Sequence, residues 1–360
     1  MIKYLGSKRR LVSVLGDLYE RSASESALDM FTGTTRVAQE LKRRGAYVTA
    51  ADSARYSFVF ANCHITTDAE KSDAAQIQEI LEYLSQRPGY KGYFTEIFCR
   101  ESRFFQPFNG EKIDAIRDAI KNEFSDSAYH DVLLTSLIYA ADKVDSTVGL
   151  QMAYIKEWAP RSYKPLKLEL PELLPGGGRA LRGDACKLVS ELTPVDFAYL
   201  DPPYNQHSYY ANYHIWETLV AWDNPACYGV ARKREDNKSE VNKSVFNKAG
   251  RMPQALGSLV SSLSAKVVVL SYNNEAWVSL EDLVAMCSHL EHVQVLAFDS
   301  RRYVGAKIGI YNPQGTKVGA VSHLHNLEYL VLAGERDLIE YMVLPYREKK
   351  VDLTPVSAVG

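Results

Sequence analysis

The feature that most constrains this chain is an apolar run, Val195-Asp196-Phe197-Ala198-Tyr199-Leu200, that stops at Asp201-Pro202-Pro203-Tyr204. The run has the length and composition of a buried strand, and the tetrapeptide has the look of an active-site loop at its C-terminal end. Two successive prolines fix φ and remove two backbone donors, so the loop is stiff and its carbonyls point where the chain forces them. The Asp201 carboxylate, the Pro202 carbonyl, the rigid Pro203 and the Tyr204 ring together suit the gripping of a flat heterocycle. The ring covers a face, and the oxygens accept hydrogens from an exocyclic amine.

Upstream, strand, loop and helix recur in order. Lys3-Tyr4-Leu5-Gly6-Ser7-Lys8 precedes a helical stripe of Leu11, Val14, Leu15 and Leu18. That opening motif fits either a helix anchor or one wall of a ligand pocket. Ala27-Leu28-Asp29-Met30-Phe31 reads as a first strand. Thr32-Gly33-Thr34-Thr35 follows as a loop, then a helix through Val37 and Leu41 that stops at Gly45. This is a nucleotide-binding layout, in which the loop lets a ligand approach the backbone and the helix start. One glycine stands where a dinucleotide fingerprint has three. A phosphate cradle is therefore disfavoured, and a ligand without phosphates such as S-adenosylmethionine is tolerated. A second strand, Ala46 to Ala51, ends at Asp52, which fits both a ribose ligand and the N-cap of a helix over 54–64. Arg182-Gly183-Asp184-Ala185 fits a third strand end or a plain turn.

Between Thr66 and Gly178 the chain is more polar and mostly helical, with an apolar helix through Leu133, Leu134, Leu137 and Ile138. Segments around Arg103 and around Trp158 interleave basic and aromatic residues, a pattern that suits nucleic acid as well as an ordinary amphipathic surface. Pro171 to Gly178 reads as a return linker. After the Pro-Pro loop, Asn205 to His214 is ring-rich, and Arg232-Lys233-Arg234 is a local basic stretch, DNA-facing or merely solvated. Further strands are expected at Lys266–Tyr272, Val293–Phe298 and Leu327–Leu332, with a hairpin turn at Tyr311–Thr316 and a DNA-facing arm at Arg301–Lys307. The net charge is −2, so any basic face is local. Five scattered cysteines, never in C-x-x-C spacing, argue against a disulfide framework and a zinc site. No run has signal-peptide or membrane-spanning character, which reads as a cytoplasmic protein.

With these pieces in order, the chain resembles the D12-class N6-adenine DNA methyltransferases, the Dam-like group with α-class motif order. Lys3 to Lys8 resembles their N-terminal cofactor motif, Phe31 to Thr35 their F-x-G-x-G loop, and Asp201 to Tyr204 their D-P-P-Y motif. Phe105 to Gly110 and Tyr209 to Glu217 also look like segments of restriction-associated members. The resemblance implies a Rossmann-like α/β sheet, mostly parallel with an antiparallel C-terminal hairpin strand, carrying a helical insertion. It divides the chain into a catalytic part (1–65 and 179–340), a target-recognition insertion (66–178) and a tail (341–360).

The resemblance also implies S-adenosylmethionine as cofactor and no metal. Tyr4 and Lys8 stand beside the cofactor, and Phe31 and Gly33 line its methionine side. Asp52 takes the ribose and Asp184 the adenine amine. Asp29 is a candidate for the methionine ammonium or a satisfied strand-end carboxylate. Asp201, also a cofactor-binding candidate, and the Pro202 carbonyl accept the target amine, Tyr204 stacks on a flipped adenine, and His207, Tyr209 and Tyr210 shape its pocket. Thr35, where the family has its second glycine, is expected to narrow the approach to methionine. Double-stranded DNA is the implied partner, with a cognate restriction endonuclease as a further one. The rivals are N4-cytosine methylation, RNA amine methylation and a non-catalytic DNA-binding regulator.

Overall fold

The computed structural model describes residues 2–4, 8–155, 157–204, 206, 208–301, 310–311, 317–319 and 325–351. Seven strands form one sheet: β1 (Ser26–Asp29), β2 (Tyr47–Asp52), β3 (Gly178–Arg182), β4 (Val195–Leu200), β5 (Ala265–Asn273), β6 (His292–Arg301) and β7 (His325–Gly334). Their spatial order is β3-β2-β1-β4-β5-β7-β6. The first five run parallel, and β7 is inserted antiparallel between β5 and β6. This is the mostly parallel sheet with one antiparallel hairpin strand that the resemblance implies.

Period-two alternation makes the sheet two-faced. Ala27, Phe197, Tyr199, Val267, Val269, Leu330 and Leu332 point to one core. Against them pack α1 (Val12–Arg21), α2 (Arg36–Arg43) and the helix Arg336–Val343. Leu28, Ala198, Leu200, Val268, Leu270 and Val331 point to the other, under the helix Met252–Ser262. Residues 341–351, expected in a tail, instead finish the helix Arg336–Val343 and add a 3-10 turn, Leu344–Lys349. Met342 and Val343 are fully buried, and that apolar face holds the segment to the sheet.

A third core belongs to the helical region between β2 and β3. It contains α3 (Arg55–Ala61), α4 (Ala74–Gln86), α5 (Pro107–Glu123), α6 (His130–Val144) and, from after the Pro-Pro loop, α7 (His214–Ala221). Tyr56 and Phe60 of α3 and Ile215, Trp216 and Leu219 of α7 are buried in one cluster with Phe94, Phe105, Ile113 and Leu137. The helices between 66 and 178 therefore share their core with the two helices that flank the catalytic loops. Gln151 fastens the segment after α6: its side chain accepts from Ile215 N–H at 2.8 Å, and its carbonyl is 3.0 Å from His214 Nε2. No helix among the described residues is long and apolar enough to cross a membrane.

Candidate active site

The sheet order reverses between β1 and β4, and a cleft opens where these two strands end. It holds about 750 Å³, within the range for small-ligand sites, and extends past the ends of β2 and β3. Tyr4, Lys8, Asp29, Phe31, Gly33, Asp52, Asp184, Asp201, Pro203, Tyr209 and Tyr210 all line it. Most of the residues singled out in the sequence thus meet in one place, from segments as far apart as Tyr4 and Tyr210.

The cofactor-side loop is shaped by its backbone. Gly33 has φ +51, and a Cβ there would sit 3.1 Å from the Tyr4 ring, so this position favours glycine on two counts. Gly33 N–H donates to Asp52 Oδ2 and Ala54 N–H donates to Asp52 Oδ1, both at 2.9 Å. Asp52 therefore pins the loop and the entry to α3 while still lining the cleft. Thr35 is left-handed too, with φ +60, but it is fully buried and its side chain turns inward. Its hydroxyl donates to the Thr34 carbonyl at 2.7 Å and accepts from Gln39 Nε2 at 2.8 Å. Thr34 and Arg36 line the cleft and Thr35 does not, so it leaves the approach to the ligand open.

Asp29 is buried at the end of β1. Its Oδ2 accepts from Thr32 Oγ1 at 2.9 Å and from Ala38 N–H at 3.1 Å, whereas Oδ1 has no partner. Burial pushes this carboxyl up to about 7, against the pull of those two hydrogen bonds. A buried acceptor oxygen on a cleft wall asks for a donor, and a ligand ammonium meets that need. Asp184 is exposed and caps the short helix Ala185–Leu188 by accepting from Cys186 N–H at 2.9 Å. Tyr4 lies half-buried among rings, stacked on Tyr209 at 5.3 Å and Tyr213 at 4.7 Å between centroids.

Asp201 follows β4 and pairs with Lys8, whose Nζ lies 3.0 Å from Oδ1. Burial raises the Asp201 carboxyl to about 6; Lys8 opposes the shift and Glu328 adds to it. Lys8 also contacts Glu328 of β7, and its Nζ sits 5.6 Å from the centre of the Tyr204 ring. Tyr204 meets Tyr272 edge-on at 5.6 Å. Tyr210 lines the cleft and donates its hydroxyl to Asp236 at 3.0 Å. His207, the Arg302–Lys307 stretch of the arm and the turn residues 312–316 lie outside the described residues.

The DNA-facing reading of Arg234 is overturned. Arg234, grouped with the DNA-facing cations, is 1% exposed. It is clamped by Asp223 (2.7 and 2.8 Å) and Asp236 (2.8 Å). Its neighbours Arg232 and Lys233 stay half-exposed, Arg232 with Glu101 at 3.3 Å. Sequence reading also missed Glu328. Its signal was a carboxylate inside the apolar run Leu327–Leu332, where a buried acid needs a partner.

A doubly wound sheet with acids at the ends of β1, β2 and β4, and a stiff Pro-Pro loop at the last of them, defines an α/β enzyme that handles a nucleoside-like ligand. The model of the D12 class N6 adenine-specific DNA methyltransferases matches residues 4–286, and the chain belongs to that family. The Type II methyltransferase M.NlaIII of Neisseria lactamica is 29% identical over 343 residues, covering 91% of this chain and 99% of its own. Modification methylase StsI of Streptococcus sanguinis is 29% identical over 301 residues, covering 78% of this chain and 45% of its own. Type II methyltransferase M.FokI of Planomicrobium okeanokoites is 25% identical over 302 residues, covering 78% and 46%. This chain thus spans almost all of the first relative and about half of the other two.

Proposed function

We propose that this protein moves a methyl group from S-adenosylmethionine to N6 of an adenine turned out of duplex DNA. We further propose that it does so in the cytoplasm, in a restriction-modification setting beside a cognate endonuclease. The observation that carries the reading is that Asp201, on its Pro-Pro loop, opens onto the same cleft as the unpartnered Asp29 oxygen. Asp29, at the end of β1, suits an amino-acid ammonium, and Asp201, just past the end of the neighbouring β4, suits an aromatic amine.

The residues present fit the cofactor. Asp29 Oδ1 takes the ammonium, the Gly33 backbone and Phe31 border the methionine chain, Asp52 takes ribose hydroxyls and Asp184 the adenine amine. When bound, S-adenosylmethionine supplies a methyl group already activated on a sulfonium. What remains for the protein is positioning and electrostatics. The N6 amine is a poor nucleophile because its lone pair is delocalised into the ring. Asp201 and the Pro202 carbonyl accept its two hydrogens and favour a more tetrahedral nitrogen. An amine inside a duplex is out of reach, so the base must leave the stack. Tyr204 offers the stacking face, with Tyr209, Tyr210 and His207 as the pocket wall. Arg232 and Lys233 are the cations left to meet phosphate on this side.

The test is the identity of the product. Unmethylated DNA treated with the protein and S-adenosylmethionine, then digested to nucleosides, should yield N6-methyldeoxyadenosine by mass spectrometry. N4-methyldeoxycytidine instead, or methylation of RNA alone, would overturn the reading. A pH profile adds a second check. Asp201 accepts its one of the two hydrogens most strongly as a carboxylate, and that form dominates above about pH 6. The single-turnover rate at saturating cofactor should therefore fall as pH drops through about 6 and flatten above it. A rate that stays flat down to pH 5 contradicts the role of Asp201.

A further inference from the structure

Three charged side chains meet at the base of the Pro-Pro loop, and only two of them line the cleft. Lys8 and Asp201 do; Glu328 does not. Glu328 is 7% exposed, reaches in from β7 and touches Lys8 Nζ with the same Oε1 that accepts from Ser271 Oγ at 3.1 Å. Lys8 is thus shared between two carboxylates that lie 127 positions apart in sequence, on parallel and antiparallel parts of the sheet. Burial works against its positive charge, but Asp201 and Glu328 outweigh burial and hold the ammonium protonated.

The Lys8 ammonium and an adenine amine are both donors, and Asp201 is the acceptor for each. Lys8 holds Oδ1 and draws on the negative charge of Asp201, so the amine is accepted most strongly once Lys8 lets go. A buried ammonium stripped of every carboxylate is strongly disfavoured, so Lys8 needs somewhere to stay. We propose that Glu328 is a positioning residue that retains the Lys8 ammonium while Asp201 exchanges it for the target amine. This rests on the adenine reaction proposed above. With Glu328 gone, Asp201 is the one carboxylate paired with Lys8 among the described residues, and the ion pair competes directly with the substrate. Ser271 keeps Glu328 oriented whichever partner Asp201 has.

Wild type, E328Q, E328D and K8M/E328Q are compared in single-turnover methylation at saturating DNA and S-adenosylmethionine, with S-adenosylhomocysteine affinity measured by calorimetry in each. E328Q is expected to lose on the order of tenfold or more in rate, with S-adenosylhomocysteine affinity changed by less than about threefold. K8M/E328Q is expected to be faster than E328Q, because the ammonium trapped on Asp201 is no longer there. A merely structural Glu328 gives the opposite order, the double variant being the slower. Either that order or an E328Q rate equal to wild type overturns the proposal. E328D keeps the charge and decides the matter should E328Q fail to fold. A rate within about threefold of wild type supports the retaining role, and a loss on the order of tenfold overturns it. A wild-type protein that leaves adenine N6 unmodified fails the adenine reading itself, before any variant is compared.

Discussion

Replacing Asp201 with alanine is expected to cut the single-turnover rate of methyl transfer by roughly 10²–10³-fold or more, the scale seen when one preorganised hydrogen-bonding group is removed from a reacting centre. The loss falls on chemistry because Asp201 is the carboxylate held on the stiff loop, and the Pro202 carbonyl alone accepts one hydrogen. Asp29, Gly33 and Asp52 are untouched, so S-adenosylhomocysteine affinity should fall by no more than several-fold, measured by calorimetry. The fold should persist as well, since Lys8 keeps Glu328 as its partner. Asp201→Asn is a stricter version. The amide has nearly the same shape but one acceptor oxygen, and its NH₂ repels Lys8. Near-normal turnover in either variant would remove Asp201 from the reaction.

Much of this site is legible in the sequence alone. Asp29, Asp52 and Asp201 each end an apolar run, and a strand followed by a polar residue and a small-residue or proline loop is a local pattern. Local patterns survive in sequence because the physics that makes them acts over a few residues. The antiparallel hairpin strand followed from the resemblance, whereas the strand order was not legible, because periodicity cannot tell which strands pair. Contacts across the sheet were not legible. Glu328 meets Lys8 only because β7 is threaded between β5 and β6, and no spacing rule links positions 8 and 328. Thr35 misled for a similar reason. Its residue type suggested crowding, but its left-handed backbone turns the side chain toward Gln39 and away from the ligand. The final segment misled through composition. Residues 347–350 are all charged, and of the apolar residues before them Met342 and Val343 are fully buried while Tyr341 and Leu344 stay exposed.

Arg232-Lys233-Arg234 is the case in which sequence and structure part most sharply, and it yields the second large expected effect. The three residues are equivalent in composition, yet the two-residue strand pairing of Cys227–Tyr228 with Lys233–Arg234 sends Arg234 inward. There the guanidinium fork matches Asp223 bidentately and reaches Asp236 as well; burial opposes the charge, but the two carboxylates hold it firmly on. Arg234→Ala should destabilise the fold by about 3 kcal/mol, near the bottom of the range for breaking a buried pair. The low end applies because Asp223 and Asp236 are themselves 42% and 40% exposed, so water can solvate them once the arginine is gone. Thermal or urea unfolding reads this directly. Lys233→Ala should do the reverse, leaving the unfolding midpoint nearly unchanged while weakening DNA binding and reducing the slope of log affinity against log salt by about one. An Arg234→Ala protein with an unchanged midpoint and a reduced salt slope would return Arg234 to the DNA face, and with it the reading that composition alone suggested.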